Sequence, residues 1–452
     1  MSGYENYTLS PVPWIKQMPE HWGLVRGKNL YQKMQRPTSD TDEVVTCFRD
    51  GTVTLRKNRR TTGFTESLKE IGYQGIRKGD LVIHVMDAFA GSIGVSDSDG
   101  KGTPVYSVCQ AKGNSNNQYY ALLLREMARS GYIQSLYRGI RERSSDFRFE
   151  VFAAQFYPVP PREEQDQIVR FLDWKVSSIN KLIRIRKRRI EELEAIKRSS
   201  IGYLVMGQAQ SIPQRGTAVS WVKTIPAHWN EKSLIQVAEE QQIKNAGMVE
   251  DNLLSLSYGK IINKDIKTTD GLLPSSFEGY QIVHDGNIIL RLTDLQNDHK
   301  SLRTGLVTQT GIITSAYTCL NVRHNILPEY LQLQLHVADL CKVFYGMGGG
   351  VRQSIGFKEI RKLVIAIPPV EEQQHILDSV HSIEKPINCA IQNSRDIIAG
   401  LEDLKMRLIS DTVTGKIDVR GIEIPEYEFV DEDIDNADEV MEQGVNEPLE
   451  EE

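Results

Sequence analysis

The feature that most constrains this sequence of 452 residues is an internal repeat, offset by 207 or 208 residues. WIKQMPEHW at 14–22 recurs as WVKTIPAHW at 221–229, and KGDLVI at 78–83 corresponds to DGNIIL at 285–290. Near the end of each copy, PPREEQDQI at 160–168 corresponds to PPVEEQQHI at 368–376. A repeat of this length predicts two equivalent structural halves rather than one continuous core.

Each copy begins with a segment in which short β-branched runs alternate with turn residues. Examples of these runs are DEVVTCF in the first copy and NIILRL in the second, and both copies are rich in Gly, Asn and Asp. Such runs predict strands and turns, and NQYYALLLREMARSGYIQSLY and PEYLQLQLHVADLCKVFY add helices. We therefore predict an α+β fold with two mixed α/β domains, at 1–158 and 209–366.

The last quarter of each copy predicts a long helix, at 159–208 and 367–416. Each helix follows a double proline, which suits a helix start. Apolar residues recur there at steps of three and four, as in a coiled-coil seam. In the second copy the seam is Ile376, Val380, Ile383, Ile387, Ala390, Ser394, Ile397, Leu401, Leu404 and Leu408, and in the first it is Ile168, Leu172, Ile179, Leu182, Leu193 and Ile196. We expect a long antiparallel two-helix spacer between the domains, with a kink or break at Pro386.

Charge separates the body of the chain from its C-terminal end. Residues 421–452 contain 14 acidic residues and no Lys or Arg, so a net charge of −6 for the whole chain leaves +8 for the remainder. A segment with so much like charge and few apolar residues is typical of disorder, and we expect an acidic disordered tail over 417–452. Two interpretations remain open: a solubilising tail, or a mimic of nucleic acid that competes for a basic surface.

Several signatures of other protein classes are absent from the sequence. No GxxxxGK[ST] loop, GxSxG elbow, HExxH helix or Asp/Asn-Pro-Pro-aromatic tetrapeptide occurs, so a fused nuclease or methyltransferase is disfavoured. No apolar run approaches the ~18 residues that span a bilayer, and the N-terminal residues lack a signal-peptide pattern. We therefore expect a cytoplasmic protein that does not associate with a membrane. A non-enzymatic protein–protein adaptor with duplicated binding domains remains the alternative.

Two similar domains related by an approximate two-fold axis suit duplex DNA, and the residues in which the copies differ are then the candidates for contact. Arg and Asn pair with base edges, and Arg and Lys neutralise phosphates. A glycine-rich or arginine-rich loop near the end of each domain lets the backbone approach phosphates, although a plain structural turn is the rival interpretation. The candidates are Arg56, Lys57, Asn58, Arg59 and Arg60, then Arg141 and Arg143, then Arg291, Gln296 and Asn297, and finally Arg352 and Gln353.

The whole chain before the acidic tail resembles the specificity subunit of type I restriction-modification systems. The resemblance is carried by the duplicated plan, by PPREEQDQI and PPVEEQQHI at the helix starts, and by KRSSIGYLVMGQ and KMRLISDTVTGKI at the helix ends. VVTCFRDGTVTLRKNRRTTGF and LVIHVMDAFAGSIGVSDSDG also resemble the variable target-recognition domains of that family.

The resemblance implies a non-catalytic DNA-binding subunit whose two target-recognition domains each bind one part of a bipartite, asymmetric site. Two modification subunits would methylate adenine with S-adenosylmethionine, and a restriction subunit would use ATP and Mg²⁺. The chain itself would bind no cofactor and no metal, and its partner would be double-stranded DNA.

Overall fold

The computed structural model of the chain describes residues 2–59, 71–136, 146–208, 212–266, 276–295, 302–323, 325–347 and 355–431. It forms two compact units. The first comprises Met1–Arg186 with Asp396–Asp433, and the second, within the described residues, comprises Lys187–Arg395. In the ranges described, no helix is both long enough and apolar enough to cross a bilayer.

The first unit is built on an antiparallel four-stranded sheet in which the strands lie in the order β4 (Tyr31–Lys33), β11 (Tyr106–Ala111), β8 (Leu81–His84) and β9 (Ile93–Val95). Strand β8 is buried along Leu81–Ile83, which explains its continuous apolar run. The elements of this unit are β1 (Tyr7–Leu9), β2 (Gln17–Pro19), β3 (Gly23–Arg26), α1 (Gly27–Leu30), β4 (Tyr31–Lys33), β5 (Val45–Cys47), β6 (Val53–Leu55), β7 (Gln74–Ile76), β8 (Leu81–His84), β9 (Ile93–Val95), β10 (Gly100–Gly102), β11 (Tyr106–Ala111), α2 (Asn117–Arg129), α3 (Tyr132–Ser135), α4 (Phe149–Ala154), β12 (Phe156–Val159) and the start of α5 (Arg162–Val205).

The second unit repeats this plan on a sheet in which the strands lie in the order β16 (Ala238–Gln241), β24 (Thr318–Val322), β21 (Ile288–Leu290) and β22 (Thr304–Leu306). The equivalent strands therefore pair in the same order in both units. The elements that follow α5 are β13 (Gln214–Gly216), β14 (Thr224–Pro226), β15 (Asn230–Ser233), α6 (Leu234–Val237), β16 (Ala238–Gln241), β17 (Ile243–Lys244), β18 (Leu254–Ser257), β19 (Lys260–Asn263), β20 (Gln281–Val283), β21 (Ile288–Leu290), β22 (Thr304–Leu306), β23 (Gly311–Ile313), β24 (Thr318–Val322), α7 (Pro328–Leu340), α8 (Phe357–Ile360), β25 (Val364–Ile367) and the start of α9 (Val370–Val413).

Each central sheet is covered on both faces. In the first unit, α2 packs its buried face, including Leu123, on Leu81 and Ile83 of β8. This helix begins at Asn116, whose side chain accepts the N–H groups of Gln118 and Tyr119, as an N-cap residue does. The β5–β6 hairpin covers the opposite face of the sheet with a separate apolar cluster. The second unit shows the same division between its α7 side and its β18–β19 hairpin.

Helices α5 and α9 are the long helices that the sequence predicts, and each contributes to both units. The start of α5 and the end of α9 share the core of the first unit, where Ile168 and Leu408 are buried. The end of α5 and the start of α9 share the core of the second, where Ile201 and Ile376 are buried. The two helices thus pack antiparallel within each unit, and the mixed α/β fold with a two-helix element is confirmed.

Two details of the helix prediction are wrong. Helix α9 runs from Val370 to Val413 through Pro386, so the predicted break does not occur; a proline inside a helix removes only one backbone donor. The apolar seam also drifts from its predicted register. Leu182, Ile196 and Leu404 are about half exposed, at 49%, 51% and 52%. A helix with 3.6 residues per turn rotates away from a strict heptad pattern, so neighbouring positions such as Ile183 are buried instead.

The repeated His-Trp and Glu-Gln residues hold the start of each long helix. In the first unit, Trp22 donates its indole N–H to Glu164 (3.0 Å), and Nε2 of His21 lies 2.8 Å from the same carboxylate. Tyr4 adds a third short hydrogen bond to Glu164, of 2.6 Å. Next along the helix, Gln165 donates to the carbonyl of Pro160 and accepts the N–H of Asn116. One Glu-Gln pair therefore fixes the helix start to two other parts of the domain.

The second unit repeats these contacts. Trp229 donates to Glu372 at 3.0 Å, and His228 Nε2 lies 2.8 Å from this carboxylate. Gln373 donates to the carbonyl of Pro368 and accepts the N–H of Leu327. The His-Trp and Glu-Gln motifs recur in the sequence because each unit needs the same anchor at the start of a long helix.

The end of each long helix accepts a hydrogen bond from a buried tyrosine and packs against the repeated Pro-X-X-Trp motif. A buried tyrosine donates to the last helical carbonyl, Tyr119 to Val413 and Tyr330 to Val205, both at 3.1 Å. Just beyond, Gly415 packs against Pro19 and Trp22 with a left-handed φ of +77°, and Gly207 occupies the equivalent position in the second unit. Each tryptophan therefore touches the start of one long helix and the end of the other.

Replacing Gly415 by alanine is expected to destabilise the first unit by about 2–4 kcal/mol. A methyl group there would lie 2.9 Å from the Trp22 ring in a left-handed backbone conformation. Urea denaturation measures the effect. The control is Gly400→Ala, at an exposed α9 position with no neighbouring atom within 4 Å, which is expected to stabilise the helix by up to about 1 kcal/mol. Equal effects of the two substitutions would contradict the packing described.

Candidate nucleic-acid interface

The basic turn of the first domain follows the β5–β6 hairpin. Arg56–Asn58 form one turn of 3₁₀ helix directly after β6, and Lys57 and Asn58 lie on the exposed surface. Lys57 forms an ion pair with Glu43 at 2.6 Å, and Asn58 donates to the Thr54 hydroxyl at 2.8 Å. The Lys57–Glu43 pair is more than half exposed on both sides, so solvent screens it and phosphate can replace the carboxylate at little cost.

Arg59 differs from its neighbours because the hairpin largely covers it. Its side chain is only 11% exposed, and Nη1 donates to Asp50 at 2.6 Å. The guanidinium also stacks over the Phe48 ring, 4.2 Å from its centroid. Arg59 therefore holds the basic turn against the hairpin, while Arg56 contacts the Thr46 hydroxyl at 3.4 Å. Arg60, the fifth residue of the predicted cluster, lies outside the described residues.

The hairpin turn and two other segments meet at what we call the loop edge of the first unit, formed by residues 48–52, loop 85–92 and Phe147. Arg49 of the turn pairs with Asp87 of the loop at 3.3 Å. The N–H of Phe147 donates to the carbonyl of Val85 at 3.1 Å. Burial lowers the pKa of His84, so its imidazole is neutral near pH 7, and Nδ1 accepts the N–H of Asp87 at 3.1 Å. Arg141 and Arg143, which precede Phe147, lie outside the described residues.

The second unit has an equivalent loop edge, formed by Tyr258–Gly259, residues 291–295 with 302–303, and Ile355. Ile355 donates its N–H to the carbonyl of Leu292 at 3.0 Å, as Phe147 does to Val85. Gly259 at the tip of the β18–β19 hairpin packs against Leu302. Arg291 opens this loop on a half-buried position. Gln296, Asn297, Arg352 and Gln353 lie outside the described residues.

A buried arginine organises the loop of the second unit. Arg303 has no exposed surface, yet its guanidinium donates to the carbonyls of Arg291 (3.2 Å), Thr293 (2.7 Å) and Asp294 (3.2 Å). Its Nε donates to the Tyr345 hydroxyl at 3.0 Å. The guanidinium thus supplies the donors for three carbonyls of the loop. Arg303 therefore fixes the conformation of the chain immediately before Gln296 and Asn297.

In the first unit, the equivalent loop is held by backbone hydrogen bonds and not by an arginine. Its loop is four residues shorter between the paired positions His84–Ser92 and Arg291–Arg303, which are joined by equivalent backbone hydrogen bonds. Within it, the carbonyl of Asp87 accepts the N–H groups of Ala90 and Ser92, and Gly91 takes a left-handed φ of +94°. The two loop edges thus stand on equivalent strands and differ in length, shape and charge.

Tyr258 is a candidate contact residue that the sequence reasoning missed. Its side chain is 86% exposed at the tip of the β18–β19 hairpin, where Tyr258 and Gly259 both have positive φ, and Lys260 beside it is exposed. An exposed aromatic ring at the loop edge can stack on a base or pack against a sugar. The signal was present in LSLSYGKIIN, because two alternating strands joined by a glycine-containing pair predict a tight hairpin.

Comparisons with known proteins show which family and which solved structures this chain is similar to. Residues 305–397 match the family model described as the type I restriction modification DNA specificity domain. A chain solved in work on complex assembly and conformational transition of the type I R-M system shares the fold, with a TM-score of 0.62 and 16% identity over 91% of this chain and 100% of its own. The HsdS subunit from Thermoanaerobacter tengcongensis aligns over 88% of this chain and 98% of its own, at 15% identity and a TM-score of 0.46. No curated protein sequence matches the chain.

The family match and the shared fold agree with the mixed α/β domains and long helices described above. The resemblance to type I specificity subunits is confirmed by the match of residues 305–397 to the type I restriction modification DNA specificity domain and by the shared fold.

Proposed function

We propose that this chain is the non-catalytic DNA-recognition subunit of a type I restriction-modification complex. Each domain binds one part of a bipartite, asymmetric site through its loop edge, and the two long helices set the separation. Partner modification subunits methylate adenine with S-adenosylmethionine, and a restriction subunit uses ATP and Mg²⁺. The chain then acts in the cytoplasm, where it meets double-stranded DNA.

One observation carries the proposal: the two units repeat the same anchors, while their loop edges differ. Glu164 and Glu372 make equivalent contacts, whereas the loop after β8 is short and closed by its own backbone and the loop after β21 is longer and built around Arg303. A duplicated binding frame with unlike contact loops is suited to two unlike half-sites on one duplex.

Several of the predicted contact residues are close in sequence to these loop edges. Arg143 precedes Phe147 by four residues and Arg352 precedes Ile355 by three, so chain geometry keeps them within about 14 Å and 10 Å of the Phe147–Val85 and Ile355–Leu292 hydrogen bonds. Gln296 directly follows Leu295. In this proposal, cationic and amide side chains from these segments supply the base and phosphate contacts at each loop edge.

Binding to duplex DNA is expected to weaken steeply with salt. A protein that neutralises about six phosphates loses roughly 10³-fold in affinity between 50 and 200 mM salt, because bound counterions are released. Fluorescence anisotropy with a labelled duplex, titrated at several salt concentrations, measures the slope. A protein–protein adaptor, the alternative function, would bind no duplex at low salt, and that result would exclude the proposal.

A further inference from the structure

The C-terminal end of the described chain lies along the first half of helix α5. We call residues 416–431 the C-terminal strap. Gln167 donates to the strap carbonyls of Val419 (3.1 Å) and Ile422 (2.7 Å). Farther along α5, Ser177 donates to the carbonyl of Glu428 (3.0 Å) and accepts the N–H of Val430 (2.7 Å). The strap therefore runs in the same direction as α5, in a fixed register.

The contact between strap and helix is specific rather than incidental. Ser177 is 2% exposed and Asn180 8% exposed, and Asn180 also donates to the carbonyl of Val430 at 3.2 Å. Because these polar side chains bind the backbone of the strap, the register does not depend on the strap's own side chains. The repeat places Lys385 and Asn388 of α9 at the positions of Ser177 and Asn180, and Asn388 instead accepts a hydrogen bond from Lys197.

The strap leads toward a strongly basic stretch of α5. Residues 181–189 contain six Lys or Arg and no acidic residue. The first of them, Lys181, already pairs with Glu428 of the strap at 3.2 Å. Residues 432–452, which follow the strap, contain ten acidic residues and no basic one. The acidic segment thus follows directly in sequence after the part of the strap that is hydrogen-bonded beside the basic stretch.

We propose that the acidic segment 432–452 binds the basic stretch of α5 that begins at Lys181, Arg184 and Arg186. The helix from Asn180 to Arg189 rises about 14 Å, and five extended residues cover that distance. An extended chain from Asp431 to Asp435 is therefore long enough to reach the basic side chains. Bound there, the segment excludes other polyanions from a helix that would otherwise attract nucleic acid at any sequence.

This inference goes beyond the proposed function, and its test uses DNA of no particular sequence. Two chains are compared, the full chain and one that ends at Asp431, which keeps the whole strap. Each is made with and without the triple substitution Lys181→Gln, Arg184→Gln and Arg186→Gln. Anisotropy with a labelled random-sequence duplex, measured from 50 to 200 mM salt, reports the affinity and its salt slope.

Removal of 432–452 is expected to raise duplex affinity about tenfold at 50 mM salt and to steepen the salt slope by about 2–3. In the triple variant, the same truncation is expected to change affinity less than twofold. An equal gain in both backgrounds would mean that the segment acts only through net charge, and no gain would mean that it lies elsewhere; either result overturns the inference.

A second measurement detects the contact directly. Zero-length carbodiimide crosslinking of the full chain, followed by mass spectrometry, is expected to join Lys181 or Lys187 to carboxylates of 432–439. The control replaces the ten acidic residues of 432–452 by Asn or Gln, which keeps the length of the segment and removes its carboxylates. Crosslinks from this segment only to lysines outside α5 would overturn the inference, whether or not the chain recognises a specific DNA site.

Discussion

Replacing Arg303 by methionine is expected to destabilise the second unit by about 3–5 kcal/mol. Methionine has a similar volume but no donors, so the carbonyls of Arg291, Thr293 and Asp294 lose charge-assisted hydrogen bonds inside the protein. The loop after β21 then loses its shape, and DNA contacts made by the second domain are lost with it. Denaturation curves measure the stability, and binding to DNA measures the loss of function.

The matched control is Arg323→Met, directly after strand β24 of the same unit. Arg323 pairs with Glu239 at 3.2 Å, and both side chains are about half exposed, so this substitution is expected to cost less than about 1 kcal/mol. Arg303→Lys restores the charge without the planar set of donors and should fall between the two. Equal stability of Arg303→Met and Arg323→Met would contradict the role given to Arg303.

Replacing Glu164 by alanine is expected to have a similarly large effect, about 3–5 kcal/mol, on the first unit. The substitution removes one buried carboxylate that accepts hydrogen bonds from Tyr4 and Trp22 and pairs with His21. All three partners lose their polar contact while the surrounding core holds them in place. Urea denaturation of the full chain measures the loss.

The repeat supplies two internal controls for this substitution. Glu372→Ala removes the equivalent carboxylate, which has only the Trp229 and His228 partners among the described residues, so its cost should be smaller, about 2–3 kcal/mol. Glu163→Ala changes an exposed neighbour on the first turn of α5 and should cost no more than about 0.5 kcal/mol. Any order other than Glu164, then Glu372, then Glu163 would contradict the anchor described.

Much of the fold was predictable because the sequence contains an internal repeat. The repeated His-Trp, Pro-Pro and Glu-Gln motifs form equivalent anchors at Glu164 and Glu372. The two segments with apolar stripes form two long helices. The break predicted at Pro386 was wrong, and Leu182, Ile196 and Leu404 lie outside the buried seam, because a helix with 3.6 residues per turn rotates away from a strict heptad repeat. Local sequence dictates the elements, and tertiary contacts dictate their details.

The candidate interface was less predictable for a physical reason. Arg303 reads as an ordinary surface cation in the sequence, and only the folded loop shows that it is buried and binds three carbonyls. Arg59 was predicted as a contact residue, and the fold shows that Asp50 and Phe48 cover it. Burial of a charged side chain depends on partners distant in sequence, so charge and spacing alone do not identify it.

The central claim is that two unlike domains on one frame read the two parts of a DNA site. Mapping N6-methyladenine across the genome of a host that carries the chain and its modification partner, with and without the gene for this chain, tests it most directly. We predict methylation at a single motif of two short blocks separated by an unread gap of fixed length, lost when the chain is absent. One continuous motif, or methylation that persists without the chain, would contradict the account.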